Sequence, residues 1–172
     1  MRRRWFGAVD VHYPDRGGAI AALVLAPDAG FATIAGEHIA RLDQVAPYQP
    51  GRFFARELPA IRAVLARADP VGLLVVDGYV DLDPAGRPGL GAHVHAELGV
   101  PVIGVAKTAF APATHAVPVL RGTSTRPLYV TAAGLSVDRA VALVTAMAGE
   151  HRLPAALRRV DALCRTGGAA PG

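Results

Sequence analysis

Leu73-Leu74-Val75-Val76-Asp77-Gly78 is an apolar, partly β-branched run that stops on a carboxylate and a glycine. That is the pattern of a buried strand delivering an acid to the edge of a sheet. Val100-Pro101-Val102-Ile103-Gly104-Val105-Ala106 repeats it and ends on Lys107, the one lysine in a chain whose other basic residues are all arginine. Between the two runs, residues 89–99 read as a short helix. Strand, helix, strand makes a parallel crossover with Asp77 and Lys107 at the same carboxyl edge. In open α/β sheets that edge is where ligands bind.

Upstream, residues 5–13 alternate as a strand, with Val9 and Val11 on one face and Ala8, Asp10 and His12 on the other. Pro14-Asp15-Arg16-Gly17-Gly18 is a turn, residues 19–26 a second strand, Pro27-Asp28-Ala29-Gly30 another turn and residues 31–40 a third strand. The three form an antiparallel meander. Pro47 and Pro50 then bracket Tyr48 in a rigid loop. Pro59 fits the first turn of a helix running to about residue 68, which puts Glu57 at its start, where an acid also suits the helix dipole.

Downstream of Lys107, residues 108–122 are loop-rich, with a short strand possible over 116–121. A strand over 128–132 and helices over 137–148 and 155–164 complete the chain, and the tail from Gly167 to Gly172 reads as flexible. Residues 1–166 are read as a single domain.

With 172 residues, 52% hydrophobic and 19% charged, the chain can bury one sizeable core. Its apolar runs fall short of the roughly 18 residues that span a bilayer, and its start lacks a signal-peptide layout, so a soluble, cytoplasmic monomer is expected. The lone Cys164 excludes an internal disulfide and offers no zinc spacing. A net charge of +4 and a pI near 9.8 suit a phosphate-rich partner without specifying one. Arg2-Arg3-Arg4 is either a phosphate-contacting arm or a solvated terminus.

A meander followed by parallel βα crossovers is the order of the ribonuclease-H-like α/β fold, and three acids fall where that fold carries its chemistry: Asp10 on the first strand, Asp77 at the end of the crossover strand and Glu57 at the helix between. Converging carboxylates hold hard cations such as Mg²⁺ against a scissile phosphate, and a neighbouring lysine neutralises phosphate charge.

Four ordered blocks sharpen this: Ala8-Val9-Asp10-Val11-His12-Tyr13, Pro47-Tyr48-Gln49-Pro50-Gly51-Arg52-Phe53-Phe54-Ala55-Arg56-Glu57, Val75-Val76-Asp77-Gly78 and Ile103-Gly104-Val105-Ala106-Lys107. Together they resemble the endonuclease V family of deoxyinosine-directed nucleases. The resemblance implies a Mg²⁺-dependent endonuclease of DNA repair, with Mn²⁺ as a substitute ion, acting on nucleic acid, DNA ahead of RNA. It implies Asp10, Glu57 and Asp77 as metal ligands and Lys107 at the phosphate. Pro47 and Tyr48 would belong to a strand-separating wedge, and Gly78 and Gly104 would line the hypoxanthine pocket.

The chain departs from the family pattern at Val130-Thr131-Ala132-Ala133-Gly134-Leu135, where a late histidine is missing, and at Tyr79-Val80-Asp81 and Asp83-Pro84. His12, on the same strand face as Asp10, either approaches the metal as an auxiliary group or is a histidine with an ordinary backbone partner. Two other readings stay open: a non-catalytic nucleic-acid-binding member of the family, and a nuclease for a different nucleic-acid structure.

Overall fold

The structure is a computed structural model that describes residues 3–50, 52 and 54–168. Arg2, Gly51, Phe53 and the last four residues of the tail, which the sequence reading used, lie outside the described residues.

Eleven elements follow one another: β1 (Trp5–His12), β2 (Ala19–Ala26), β3 (Gly36–Leu42), α1 (Phe54–Leu65), β4 (Val71–Asp77), α2 (Leu90–Leu98), β5 (Val102–Ala106), β6 (Val117–Val119), β7 (Leu128–Ala133), α3 (Val137–Ala146) and α4 (Ala155–Thr166). The strands form one seven-stranded sheet in the order β3-β2-β1-β4-β5-β7-β6. β1 to β3 are an antiparallel meander, and β4 and β5 add parallel to β1. β7 and β6 then extend the sheet antiparallel, a turn of direction that the crossover pattern did not predict. Pro118 sits in β6, an edge strand, where a missing N–H is tolerated.

Both faces of the sheet are covered. One buries Ala8, Ala22, Val24, Val75, Ile103 and Val105 with the apolar residues of α3 and α4. The other buries Val9, Leu23, Leu74, Val76 and Val102 with those of α1 and α2. This two-sided burial explains why β2, β4 and β5 read as continuous apolar runs.

The third strand starts at Gly36, five residues later than expected. Phe31 has φ 53°, a left-handed conformation that no strand accommodates, yet its ring is buried in the core. Its apolarity reports burial of a loop. α1 starts at Phe54, ahead of Pro59, which lies inside the helix and forgoes a single backbone bond just beyond the turn whose N–H groups are unpaired anyway. Glu57 is therefore in the first turn. At the other end, Gly167 closes α4 in the left-handed conformation at φ 62°. Among the described residues no helix is long and apolar enough to cross a membrane.

Candidate active site

β1 and β4 pair in register Ala8↔Val75 and Val9↔Val76. Ala8 and Val75 face the α3–α4 layer, so Asp10 and Asp77, two residues further along each strand, point to that layer side by side. β5 ends at Ala106, and Lys107 turns back so that its Nζ lies 3.2 Å from Asp77 Oδ2. Glu57 arrives from the opposite layer, in the first turn of α1. Asp10, Glu57 and Asp77 line one recess of about 10 Å³, room for roughly a single water. A second recess of about 10 Å³ is lined by Asp10, Asp77 and Lys107 with Leu153, Leu157 and Val160.

The electrostatics of this cluster are unfavourable to the bare protein. Burial, and then the charge of Asp77, push the Asp10 carboxyl from its ordinary 3.8 up to about 7. A backbone bond from Val11 N–H to Asp10 Oδ1 at 2.9 Å opposes that rise. Glu57 is pushed up to about 8 by burial, then by Asp77 and Asp10. Burial alone would lower the Lys107 ammonium, but Asp77 outweighs it and holds the group above its usual value.

A fourth acid joins them that the sequence reading missed. Asp161, on α4, lies with Asp10 and Cys164 in a group whose ligand atoms are all within 4.8 Å of one another. Leu157, Val160 and Cys164 form the buried face of α4, and Asp161 sits among them at helical spacing. A carboxylate in an otherwise apolar inward stripe was the available signal. The Cys164 thiol is pushed up to about 12 by burial and then by Asp10 and Asp161, and its soft sulfur suits a hard cation less well than the carboxylate oxygens do. Crowded, mutually repelling carboxylates are a donor set that fits a hard divalent cation, which relieves the charge each acid imposes on the others. The further carboxylate beside Asp10 is therefore Asp161.

Next to the acids opens an apolar cavity of about 740 Å³, lined among others by Tyr48, Phe54, Tyr79, Arg87, Leu90 and Phe110. The Tyr79 hydroxyl donates to Thr108 O at 2.7 Å, and its ring lies 6.0 Å from that of Phe110. Tyr48 is exposed at the rim, whereas the neighbouring Pro47 is outside the lining. Gly78, at φ 131°, faces open space. Gly104 does not: a Cβ there would meet Gly78 O and Thr131 Oγ1 at 2.6 Å each, so this glycine lets the loop after β4 lie directly on β5. That loop is pinned by Val80 N–H donating to Thr131 Oγ1 at 2.8 Å. His12 lines a separate groove beyond Asp10, with Arg16, Arg41 and Arg165. Arg152, to which the sequence reading gave no role at the site, donates from its guanidinium to the carbonyls of Lys107, Arg126 and Pro127.

The family model described as Endonuclease V matches residues 1–119. The chain belongs to the endonuclease V family. Endonuclease V of Streptomyces avermitilis is 34% identical over 178 residues, covering 91% of this chain and 77% of the relative. Its crystal structure matches with a TM-score of 0.80 over 95% of this chain and 80% of that one. The catalytic domain of human Endonuclease V matches at 24% identity and TM-score 0.79, covering 95% and 82% of the two chains. Ciona intestinalis Endonuclease V, in complex with a 24mer DNA containing an inosine followed by a ribo-adenosine, matches at 15% identity and TM-score 0.78, covering 95% and 85%. The fold is ribonuclease-H-like, and the protein is a metal-dependent endonuclease of the endonuclease V type.

Proposed function

We propose that this endonuclease V is a Mg²⁺-dependent enzyme that hydrolyses a phosphodiester bond near inosine in nucleic acid, DNA ahead of RNA, as a monomeric repair enzyme of the cytoplasm. The observation that carries the proposal is the convergence of Asp10, Glu57 and Asp77 on one recess with Lys107 against Asp77. The inosine-containing DNA held by the Ciona enzyme supports the substrate.

Asp10, Glu57, Asp77 and Asp161 are the residues that would hold the ion. When bound, a divalent ion polarises the scissile phosphate and makes its water a better nucleophile at neutral pH. Lys107, fixed by Asp77 and by the clamp of Arg152 on its carbonyl, is placed to neutralise a non-bridging phosphate oxygen. The apolar cavity beside the acids suits a displaced base, with Phe54, Tyr79 and Phe110 as stacking surfaces and Tyr48 at the rim as the wedge.

The test is cleavage of matched oligonucleotides with and without inosine, as DNA and as RNA, with Mg²⁺ or with chelator. Cutting near inosine that needs the ion and disappears in Asp77→Ala is expected. Intact inosine substrates, or an Asp77→Ala enzyme as active as its parent, would refute the reading. The tyrosine at position 79 in the cavity wall favours a second reading, a preference for another base, so the panel includes uracil, xanthine and mismatched bases.

A further inference from the structure

The groove that holds His12 lies outside the machinery described so far, and its register ties it to that machinery. Across the meander, Asp10 pairs with Ala22 and Ala22 with Ile39. The next same-face row is His12, Ile20 and Arg41. It lies two residues further along β1, roughly 7 Å from the first. α4 repeats the step. Asp161 lies beside Asp10, and Arg165, one turn later and about 6 Å along the helix, donates from Nε to Asp161 Oδ1 at 2.9 Å. On sheet and helix alike, a step that carries an acid is thus followed by one that carries an arginine: the Asp10 row by Arg41, and Asp161 by Arg165.

That second row opens into a groove of about 530 Å³, where Arg16 from the β1–β2 turn joins Arg41, Arg165 and His12, and Asp43 is the sole acid in the lining. Arg41 spends one N–H on Gly167 O at 2.7 Å, which anchors the end of α4 and fixes the guanidinium at the groove wall. Arg16 and Arg41 line neither the acid recesses nor the apolar cavity, while Arg165 links the groove to the acids through Asp161.

We propose that this groove binds the phosphodiester backbone of the substrate strand next to the cut, with Arg16, Arg41 and Arg165 each contacting phosphate. The inference rests on the nucleic-acid reading above and adds to it a strand path. With the scissile phosphate at the acids, the strand's next phosphates reach the basic row one step away. Planar guanidinium groups suit that task, because they grip phosphate oxygens in pairs. The groove reads backbone and not base, so its contribution is independent of inosine.

The experiment measures binding of two single-stranded DNA oligonucleotides, one with and one without inosine, from 50 to 200 mM salt, with Ca²⁺ in place of Mg²⁺. It uses the full chain, Arg16→Ala, Arg16→Ala/Arg41→Lys, Arg16→Ala/Arg41→Ala and the charge reversal Arg16→Glu. Each phosphate contact contributes about 0.7 to the slope of log affinity against log salt. The double alanine variant is expected to lose about 1.4 from that slope, so its affinity falls about sevenfold less than the parent's across this fourfold salt range. The loss should be the same on both oligonucleotides. Arg16→Glu, on an exposed turn, should weaken binding more than Arg16→Ala while leaving thermal stability unchanged. Arg62→Ala, on α1 and paired with Glu97, is the control and should keep the parental slope. At saturating substrate kcat should hold while KM rises.

Parental slopes in Arg16→Ala, Arg16→Glu and the double variant would overturn the groove while leaving inosine cleavage by the parent intact. A parent that binds the plain strand through these arginines but fails to cut inosine DNA would keep the groove and sink the substrate. A parent that binds neither strand at 50 mM salt overturns both.

Discussion

Replacing Asp10 by asparagine should make the metal-free protein more stable while abolishing its chemistry. Asp10 is held at about 7 in the folded chain, against an ordinary 3.8, by burial and by Asp77. Below pH 4 the group is protonated whether the chain is folded or not. As pH rises from there, the unfolded chain ionises first and the folded state loses stability, until the cost is complete above pH 7. A rise of this size corresponds to at most about 4 kcal/mol, at about 1.4 kcal/mol for each factor of ten. Asparagine removes the charge and keeps an oxygen to accept the Val11 N–H. Urea unfolding in EDTA should therefore show a midpoint for Asp10→Asn higher by about 1–2 M at pH 8, taking a slope of about 2 kcal/mol/M. At pH 5 the gain should be less than half as large. Saturating Mg²⁺ should stabilise the parent at pH 8, by about 2.7 kcal/mol at a hundredfold excess over its dissociation constant, and do little for the variant. An asparagine variant no more stable than the parent at pH 8, or equally stabilised at both pH values, would refute the account of a site under charge repulsion.

Two more substitutions probe how the site is positioned. Gly104→Ala forces a methyl group to within 2.6 Å of Gly78 O, a backbone atom with little freedom to yield. A loss of about 1–3 kcal/mol is expected, read as a drop of roughly 3–10 °C in Tm, with a fall in kcat as the loop after Asp77 shifts. Arg152→Ala strips a shared donor from the carbonyls of Lys107, Arg126 and Pro127. Its effect on kcat should be much smaller in a Lys107→Ala background than in the parent, since Arg152 acts through Lys107; additive losses in this double-mutant cycle would count against that role.

The placement of Asp10, Asp77 and Lys107 was legible because each ends or interrupts a largely apolar strand, where a charge is conspicuous. α2 was legible from its bounding glycines, and Gly99 does close it in the left-handed conformation. Phe31 misled because an apolar residue in a meander looks like a strand residue, although its burial comes from a loop folded onto the core. Asp161 was unreadable as a site residue for a different reason. Its partner Asp10 is far away in sequence, and only the docking of α4 on β1 and β2 brings the two together. The resemblance directed attention to a histidine near residue 134, away from the helix that supplies the fourth group.

The placement of these groups also explains how a small domain tolerates a cluster of like charges. Asp77 stands at the last paired position of β4, and Asp10 at the first β1 position past the end of the β1–β4 ladder, each just beyond the fully buried Val76 and Val9. The repulsion is therefore confined to the rim of the sheet, and the two apolar layers beneath it are continuous. Glu57 and Asp161 come from helices on opposite faces, so neither strand has to carry a second acid into the core. An ion at the rim would tie α1 and α4, which meet the sheet through apolar packing, to the hydrogen-bonded strands β1 and β4. On this geometry metal binding tightens both layers against the sheet at once, and backbone amides at the first turn of α1 and the middle of α4 should gain protection from hydrogen exchange together. Protection confined to one of the two helices would mean that the ion is held from one face alone.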